Sequence, residues 1–293
     1  MKALLNRLYR LLFCRGGYGI HSPFVFDLIT NVIEERRLYY CYEQLHTVRL
    51  QLLQDKRKIT VRYRTISENK PTADLETSTP ATVRNQTMTI KKAIETYCYT
   101  ETEDRLLFRL ANYFQPKTIL VIGSEFGLTP LYLTAFTKET TCIVIEPESS
   151  IATIAQEYLK KYALANIVFP VLEDKHIGSP ERFDFIIWSH SFTPFPINKP
   201  TGNSSIHQPD FKSASIPSFD EALSLVNFDR FLPYINDESV MIISGIHASS
   251  NRRKVWNAIC VHPKVTVTID LYHFGIVFFN PKLHQKTYKS VGL

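Results

Sequence analysis

The sequence predicts a doubly wound α/β fold: a mostly parallel seven-stranded sheet that closes with a C-terminal antiparallel hairpin and is preceded by an N-terminal helical extension. Three observations predict it. Thr118-Ile-Leu-Val-Ile-Gly-Ser-Glu-Phe-Gly-Leu-Thr-Pro130 is an apolar run that breaks into a Gly-containing turn and resumes with helical spacing. Thr141-Cys-Ile-Val-Ile-Glu146 is a second apolar run ending on a carboxylate, 23 positions after Gly123. Strand, tight turn, helix and acid-ended strand form the nucleotide-cradling half of such a sheet. Near the C-terminus, Thr266-Val-Thr-Ile-Asp-Leu-Tyr-His-Phe-Gly-Ile-Val-Phe-Phe279 holds two strand-like runs joined only by a short turn around His273 and Gly275. That link is too short for a crossover, so the two runs pair antiparallel.

Each element follows in order. Leu4, Leu5, Leu8, Leu11 and Leu12 fall on one face of a helix, which reads as a packing helix or as a membrane-surface helix. Ser22 is placed as N-cap with Pro23 at the first helical position. Phe26, Ile29 and Ile33, then Leu38 to Leu53, continue a helical region. Residues 65–89, rich in Thr, Ser, Asn and Pro, read as a mobile linker or long loop between an N-terminal basic helical region, 1–64, and a main domain, 90–293. A helix with Leu106, Leu107, Leu110 and Phe114 leads into the first strand. The expected strands are Thr118 to Ile122, Cys142 to Glu146, Ile167 to Val171, Phe185 to Trp188, Val240 to Ser244, Val265 to Leu271 and Gly275 to Phe279. Helices are expected over Thr129 to Phe136, Ser150 to Tyr162 and Phe219 to Leu232, and strands separated by helices imply parallel pairing.

Composition narrows the class. A chain of 293 residues with 44% hydrophobic residues can bury a sizeable core. No run approaches the roughly 18 apolar residues of a membrane span, and Asn6, Arg7 and Arg10 interrupt any signal-peptide core. Five cysteines, far apart and odd in number, read as reduced thiols of a cytoplasmic protein and have no zinc spacing. Residues 1–64 carry twelve Lys and Arg against five Asp and Glu, whereas the whole chain is +6. That excess is read either as solvated helix faces or as a site for an anionic partner such as RNA.

The chain resembles the class I S-adenosylmethionine-dependent methyltransferases, and within them the bacterial relatives of catechol-type O-methyltransferases. The residues that carry the resemblance are Leu106-Leu-Phe-Arg-Leu-Ala-Asn-Tyr-Phe114, Gly123-Ser-Glu-Phe-Gly-Leu-Thr129, Ile145-Glu146, Ala152-Thr-Ile-Ala-Gln156 and the closing hairpin. Tyr18-Gly-Ile-His-Ser-Pro-Phe24 is similar to an N-terminal signature of one bacterial branch. The resemblance implies a class I methyltransferase fold, S-adenosylmethionine as cofactor, and a small-molecule substrate.

The candidate cofactor residues are Gly123, Ser124, Glu125, Gly127, Thr129, Glu146 and Glu173. Gly123 and Gly127 permit a turn close to a ligand, and Thr129 is expected to cap the next helix and present its hydroxyl to the site. Glu146 stands where such folds hold ribose hydroxyls, which donate hydrogen bonds to a carboxylate. Glu173 follows the third strand, where the family often keeps an acid near the adenine amine. Each also has a plain structural reading: turn glycines, an N-cap and surface carboxylates.

The departures bear on chemistry. Val121 stands where the family usually has an acid for the cofactor's ammonium group, and Glu125 stands where the turn is usually small. Glu125 either repels the methionine carboxylate, at about 1 to 4 kcal/mol for ~4 Å, or replaces the missing acid. Catechol-type members bind a divalent cation through oxygen ligands at the fourth and fifth strands. Here Ser189 and Ser244-Gly-Ile-His-Ala248 occupy those places, so no metal is expected. His190 and His247, beside strand C-termini, are the candidate general bases, since imidazole titrates near neutrality. The insertion 191–218, with Phe192, Phe195 and Phe211, reads equally as a lid or as a disordered excursion. The function expected is metal-independent methyl transfer; the alternative is a catalytically degenerate binding or assembly module of the same fold.

Overall fold

The computed structural model describes residues 10, 14, 16–65, 82–146, 148–162, 166–169, 182–189 and 225–290. Glu173, His190, the insertion 191–218 and all five leucines of the N-terminal helix lie outside them.

The polypeptide enters through α1 (Pro23–Leu28). Ser22 caps it, its hydroxyl accepting from Val25 N at 3.4 Å, with Pro23 at the first helical position as expected. A π-helical turn, Ile29–Ile33, ends it. Arg109, buried, donates to the Val32 and Ile33 carbonyls at 2.7 and 3.0 Å and satisfies acceptors that the widened turn releases. The expected helical run from Leu38 begins only at α2 (Tyr42–Gln54). Just before it, the Glu35 carboxylate accepts the Arg36 and Arg37 N–H groups, both at 2.8 Å, a local alternative to helix.

Residues 82–89, expected within the linker, instead form β2 (Thr82–Thr89), paired antiparallel with β1 (Lys58–Thr65). A polar, Thr-rich strand offers few apolar residues to a sequence reading, yet Ile59, Val61 and Met88 reach the core from this ribbon. Two helices then lead to the main sheet: α3 (Ile90–Tyr97) and α4 (Glu101–Phe114). The second begins with a reciprocal capping box between Thr100 and Glu103 and closes on Gln115 in the left-handed region.

The main sheet is built from β3 (Thr118–Ile122), β4 (Thr141–Ile145), β5 (Ile167–Val168), β6 (Phe183–Trp188), β7 (Ile235–Ser244), β8 (Val267–Asp270), β9 (Phe274–Phe278) and β10 (Lys286–Lys289). Its order is β10-β8-β9-β7-β6-β3-β4-β5. All neighbours pair parallel except β9, which runs antiparallel between β7 and β8. The expected hairpin is therefore present. The sheet has eight strands rather than the expected seven, because the short polar segment Lys286–Lys289 adds to the outer edge of β8.

Among the described residues, four helices accompany it: α5 (Leu128–Thr134), α6 (Ser149–Lys161), α7 (Leu225–Phe231) and α8 (Ser250–Cys260). Both faces of the sheet are buried, and alternate residues serve each. Ile119, Val121, Phe185, Ile187, Val240 and Ile242 join one core, while Leu120, Ile122, Ile186, Trp188, Met241 and Ile243 join the other. This two-sided burial is why the strands read as continuous apolar runs. Successive strands move outward from β3 in one direction through β4 and β5, then restart on its other side with β6 and β7. The reversal leaves a crevice at the carboxyl ends of β3 and β6, where open α/β sheets bind ligands.

Candidate active site

The turn after β3 forms the floor of that crevice. Gly123, Glu125, Phe126 and Gly127 have φ of 90°, 48°, 60° and 84°. Two consecutive non-glycine residues in the left-handed region cost about 1–2 kcal/mol each, so the surroundings must impose the shape. Gly123 N donates to Ile145 O at 2.9 Å, which ties the turn to the end of β4. At Gly127 a Cβ would meet Leu159 Cγ at 3.3 Å and Ala155 Cβ at 3.5 Å. The glycine is thus needed for its φ and for the approach of α6.

Glu146 lies across from the turn. Its Oε2 accepts from Ser124 N and Ser124 Oγ, both at 2.8 Å, and its Oε1 accepts from Glu148 N at 3.0 Å. Burial pushes its pKa up, while the Ser124 and Glu148 donors hold it down. A carboxylate offers about four lone-pair sites, so Oε1 keeps capacity for one further donor.

Glu125 is almost fully buried, at 3% exposure, and turns into the sheet edge. Its Oε2 accepts from Tyr99 N at 2.7 Å and from Thr129 Oγ1 at 3.4 Å; its Oε1 accepts from Ser189 Oγ at 2.7 Å. It therefore bridges the crevice from the β3 turn to the end of β6. Thr129 does not cap α5, whose N-cap is Gly127. Its hydroxyl is shared between Glu125 and Asp104 Oδ1, the latter at 3.1 Å, because the helix starts one residue earlier than expected and buries it.

Asp104 continues the network. It pairs with Arg49, which also donates to Tyr99 O at 3.0 Å. Burial pushes the Asp104 carboxyl up to about 7 against the pull of the Arg49 guanidinium and the Thr129 hydroxyl. Tyr99 packs edge-on against Phe274, with ring centroids 5.1 Å apart. Burial and the charge of Glu125 raise its phenol well above the usual range, while the nearby hydroxyls of Ser189 and Ser244 oppose them. Ser244, at the end of β7, is itself buried, and its hydroxyl contacts Trp188 O at 3.4 Å. Serine hydroxyls thus occupy both strand ends where catechol-type relatives were expected to differ. Among the described residues, no group of three His, Cys, Asp or Glu is arranged to hold a metal ion.

His247 follows β7 but leans across β9 to Asp270 at the end of β8, with Nε2 2.8 Å from Oδ2. The structure does not bring it against the β3 turn. The carboxyl ends of β7 and β8 are nonetheless joined, since Gly245 N donates to His273 O at 2.7 Å.

Arg49, Tyr99, Asp104 and Asp270 did not emerge from the sequence as site residues. A signal existed for two of them. Asp104 shares a helical face with Leu107, Phe108 and Ala111, and Arg49 shares one with Leu45 and Leu52. A charge on an apolar stripe marks a buried pair.

In strand order and in the reversed strand β9 set between two parallel neighbours, the sheet is of the class I methyltransferase type. No protein-family model matches the chain, and no curated protein sequence matches it. Among solved structures it is similar to an O-methyltransferase from Bacillus cereus in complex with SAH, at 14% identity over 64% of this chain and 90% of that one, with a TM-score of 0.43. A putative O-methyltransferase from Klebsiella pneumoniae is 14% identical over 64% of this chain and 87% of that one, with a TM-score of 0.44. An SAH-bound methyltransferase from Podospora anserina is 11% identical over 84% and 99%, also with a TM-score of 0.44.

Among the described residues, no helix is long and apolar enough to cross a membrane. Several basic residues of the N-terminal region are engaged internally: Arg10 with Asp270, Arg49 with Asp104, and Arg57 with Asp55 and Glu157. The five cysteines are free thiols, with Cys41 and Cys142 buried.

Proposed function

We propose that this protein is an S-adenosylmethionine-dependent methyltransferase that acts on a small-molecule acceptor without a metal ion. The observation that carries the reading is the Glu146–Ser124 junction: a carboxylate at the end of β4, facing the β3 turn beside the switch point, with one acceptor direction on Oε1 unused among the described residues. A ribose hydroxyl donates to such a group, while Ser124 N and Oγ hold the other carboxylate oxygen in place. The residues therefore fit the cofactor. When bound, it supplies a methyl group made electrophilic by a sulfonium.

The protein's own part is positioning and exclusion of water. Gly123 and Ser124 shape the cradle, Glu146 receives the ribose, and Glu173 is assigned the adenine amine. Glu125 stands in for the acid absent at Val121, its charge held at the carboxyl ends of β3 and β6 where an ammonium group is attracted. His190 and His247 are the general bases assigned to the acceptor. Metal independence is supported by the hydroxyls of Ser189 and Ser244, which are poor ligands for Mg²⁺ beside carboxylates.

Calorimetric titration with S-adenosylmethionine tests the reading. Binding is expected, is unchanged by a chelator, and weakens at least tenfold in Glu146→Ala. Glu125→Gln is expected to weaken it as well; tighter binding would show that Glu125 repels the cofactor. A folded protein that gives no heat at high cofactor concentration would remove the enzymatic reading altogether, and binding without turnover on any acceptor would leave a binding module.

A further inference from the structure

Away from the cradle, four side chains from three distant parts of the chain converge on the carboxyl end of β8. Asp270 is 3% exposed. Its Oδ1 accepts from Arg10 Nη2 and from Tyr272 N, both at 2.8 Å, and its Oδ2 faces His247 Nε2 at 2.8 Å. Arg10 is buried and locked further by bonds to Asp270 O at 2.8 Å and Ser290 O at 3.1 Å. Tyr272 sits in the left-handed region at φ 74°, and its ring stacks on the His247 imidazole, with centroids 5.1 Å apart and planes 17° from parallel. The Arg10 guanidinium lies 5.5 Å from the centroid of the same tyrosine ring.

The imidazole is thus held by a carboxylate at one nitrogen and by a ring against its face. An ionised carboxylate only accepts, so the Nε2 facing Asp270 bears a proton, and in the neutral imidazole Nδ1 carries the lone pair. No hydrogen bond to Nδ1 exists among the described residues, and the His247 side chain is 15% exposed. Burial presses the Asp270 carboxyl up, but the His247 hydrogen bond and the Arg10 charge outweigh it and hold the group below the usual carboxylate range. The other titratable groups around it are the Tyr272 phenol, the Cys260 thiol under β8, and His273, which faces Glu103 at 3.8 Å.

We propose that Asp270, anchored by Arg10, is the positioning residue that fixes His247 with Nε2–H on the carboxylate and Nδ1 free to take the proton of the methyl acceptor. This rests on the methyltransferase reading above. In the step, the acceptor X–H bond breaks and its proton passes to Nδ1. The electron pair of X forms the bond to the methyl carbon, the sulfur–methyl bond breaks, and its pair stays on sulfur. The imidazolium that forms is then matched by the carboxylate already in place.

Two measurements on the full chain decide it. In long-range ¹H–¹⁵N spectra, His247 is expected as the Nε2–H tautomer at pH 8. A folded Asp270→Asn is expected to lose that preference, and Asp270→Glu to recover it in part, because an ionised carboxylate only accepts. An Nδ1–H tautomer in the wild type, or an unchanged tautomer preference in a folded Asp270→Asn, overturns the positioning role. Arg10→Gln keeps the carboxylate and should keep the Nε2–H tautomer, which guards against reading a local collapse as loss of the carboxylate.

The second measurement is release of S-adenosylhomocysteine with catechol, a thiol and an amine as probe acceptors. Asp270→Asn and His247→Gln should each lower kcat at least tenfold while calorimetric cofactor affinity stays within twofold. A wild-type protein that binds cofactor but turns over no probe, or variants with unchanged kcat and pH profile, counts against the base. Loss of cofactor binding in the wild type would instead sink the methyltransferase reading, and the tautomer result would stand separately.

Discussion

Replacing Glu125 by alanine and by glycine isolates the strain of the β3 turn. Either substitution removes the same carboxylate and leaves the same donors behind: the Tyr99 amide, the Ser189 hydroxyl and the Thr129 hydroxyl. Each stranded donor costs about 1–3 kcal/mol, and relief of a buried charge opposes that loss. These contributions are common to both variants and cancel in their difference. What remains is the backbone. At an ordinary position glycine is the worse residue by roughly 0.5–1 kcal/mol, because it loses more chain entropy on folding. At φ 48° a Cβ costs about 1–2 kcal/mol, so the order should invert. Glu125→Gly is therefore expected to be more stable than Glu125→Ala by roughly 0.5–1 kcal/mol. Equilibrium urea unfolding with a common slope measures it. An alanine variant as stable as the glycine variant, or more so, would show that the left-handed turn is not imposed on residue 125 in solution.

Two further outcomes follow from buried groups. Because burial raises Asp104 to about 7, the folded protein keeps its proton at a pH where the unfolded chain has lost it, and this contribution to stability is present below pH ~4 and lost as pH rises through 7. Unfolding at pH 5 and pH 8 should show a drop in stability that Asp104→Asn lacks, although that variant is less stable throughout for want of a partner to Arg49; equal drops in both proteins would refute the assignment. Gly275→Ala places a Cβ 2.4 Å from Trp256 Cζ3, within a buried ring that cannot swing clear. It should cost about 1–3 kcal/mol and lower Tm, and an unchanged melting curve would refute the tight packing of α8 on β9.

The parts of the fold that could be read from the chain are those whose burial leaves a one-dimensional trace. Strands covered on both faces are apolar throughout, so Thr118 to Ile122 matches its strand end to end, and the turn at His273 is too short for anything but antiparallel pairing. The β1–β2 ribbon left no such trace, since Thr82–Thr89 is a polar strand whose partner lies across residues that carry no pattern. The candidate site divides the same way. Glu146 was legible because a carboxylate ending an apolar strand has a fixed place in this topology. The direction of Glu125 was not, because glutamate and phenylalanine are residue types that avoid the left-handed region, and only the packing of Tyr99 and Ser189 turns that side chain inward. His247 was chosen for its position beside a strand end; its partner Asp270 is about as remote in sequence as Glu146 is from Gly123, with no motif joining them.

The serine at 189 and the glutamate at 125 are best understood as one substitution. Ser189 Oγ donates to Glu125 Oε1 at 2.7 Å. A carboxylate at 189 would put two like charges in contact in a buried site, and they could not both ionise. The acid in the turn and the acid at the end of β6 therefore exclude one another. At the end of β7, Ser244 in turn faces Trp188 O and the Tyr99 phenol. The departures from the catechol-type pattern at Val121, Glu125, Ser189 and Ser244 thus form a consistent set rather than separate losses. In the function proposed above, one buried carboxylate supplied with protein donors takes the place that a metal and its acids hold in the family the sequence resembles. In that proposal, proton removal falls to His247 on the same sheet edge, which Asp270 holds at 2.8 Å.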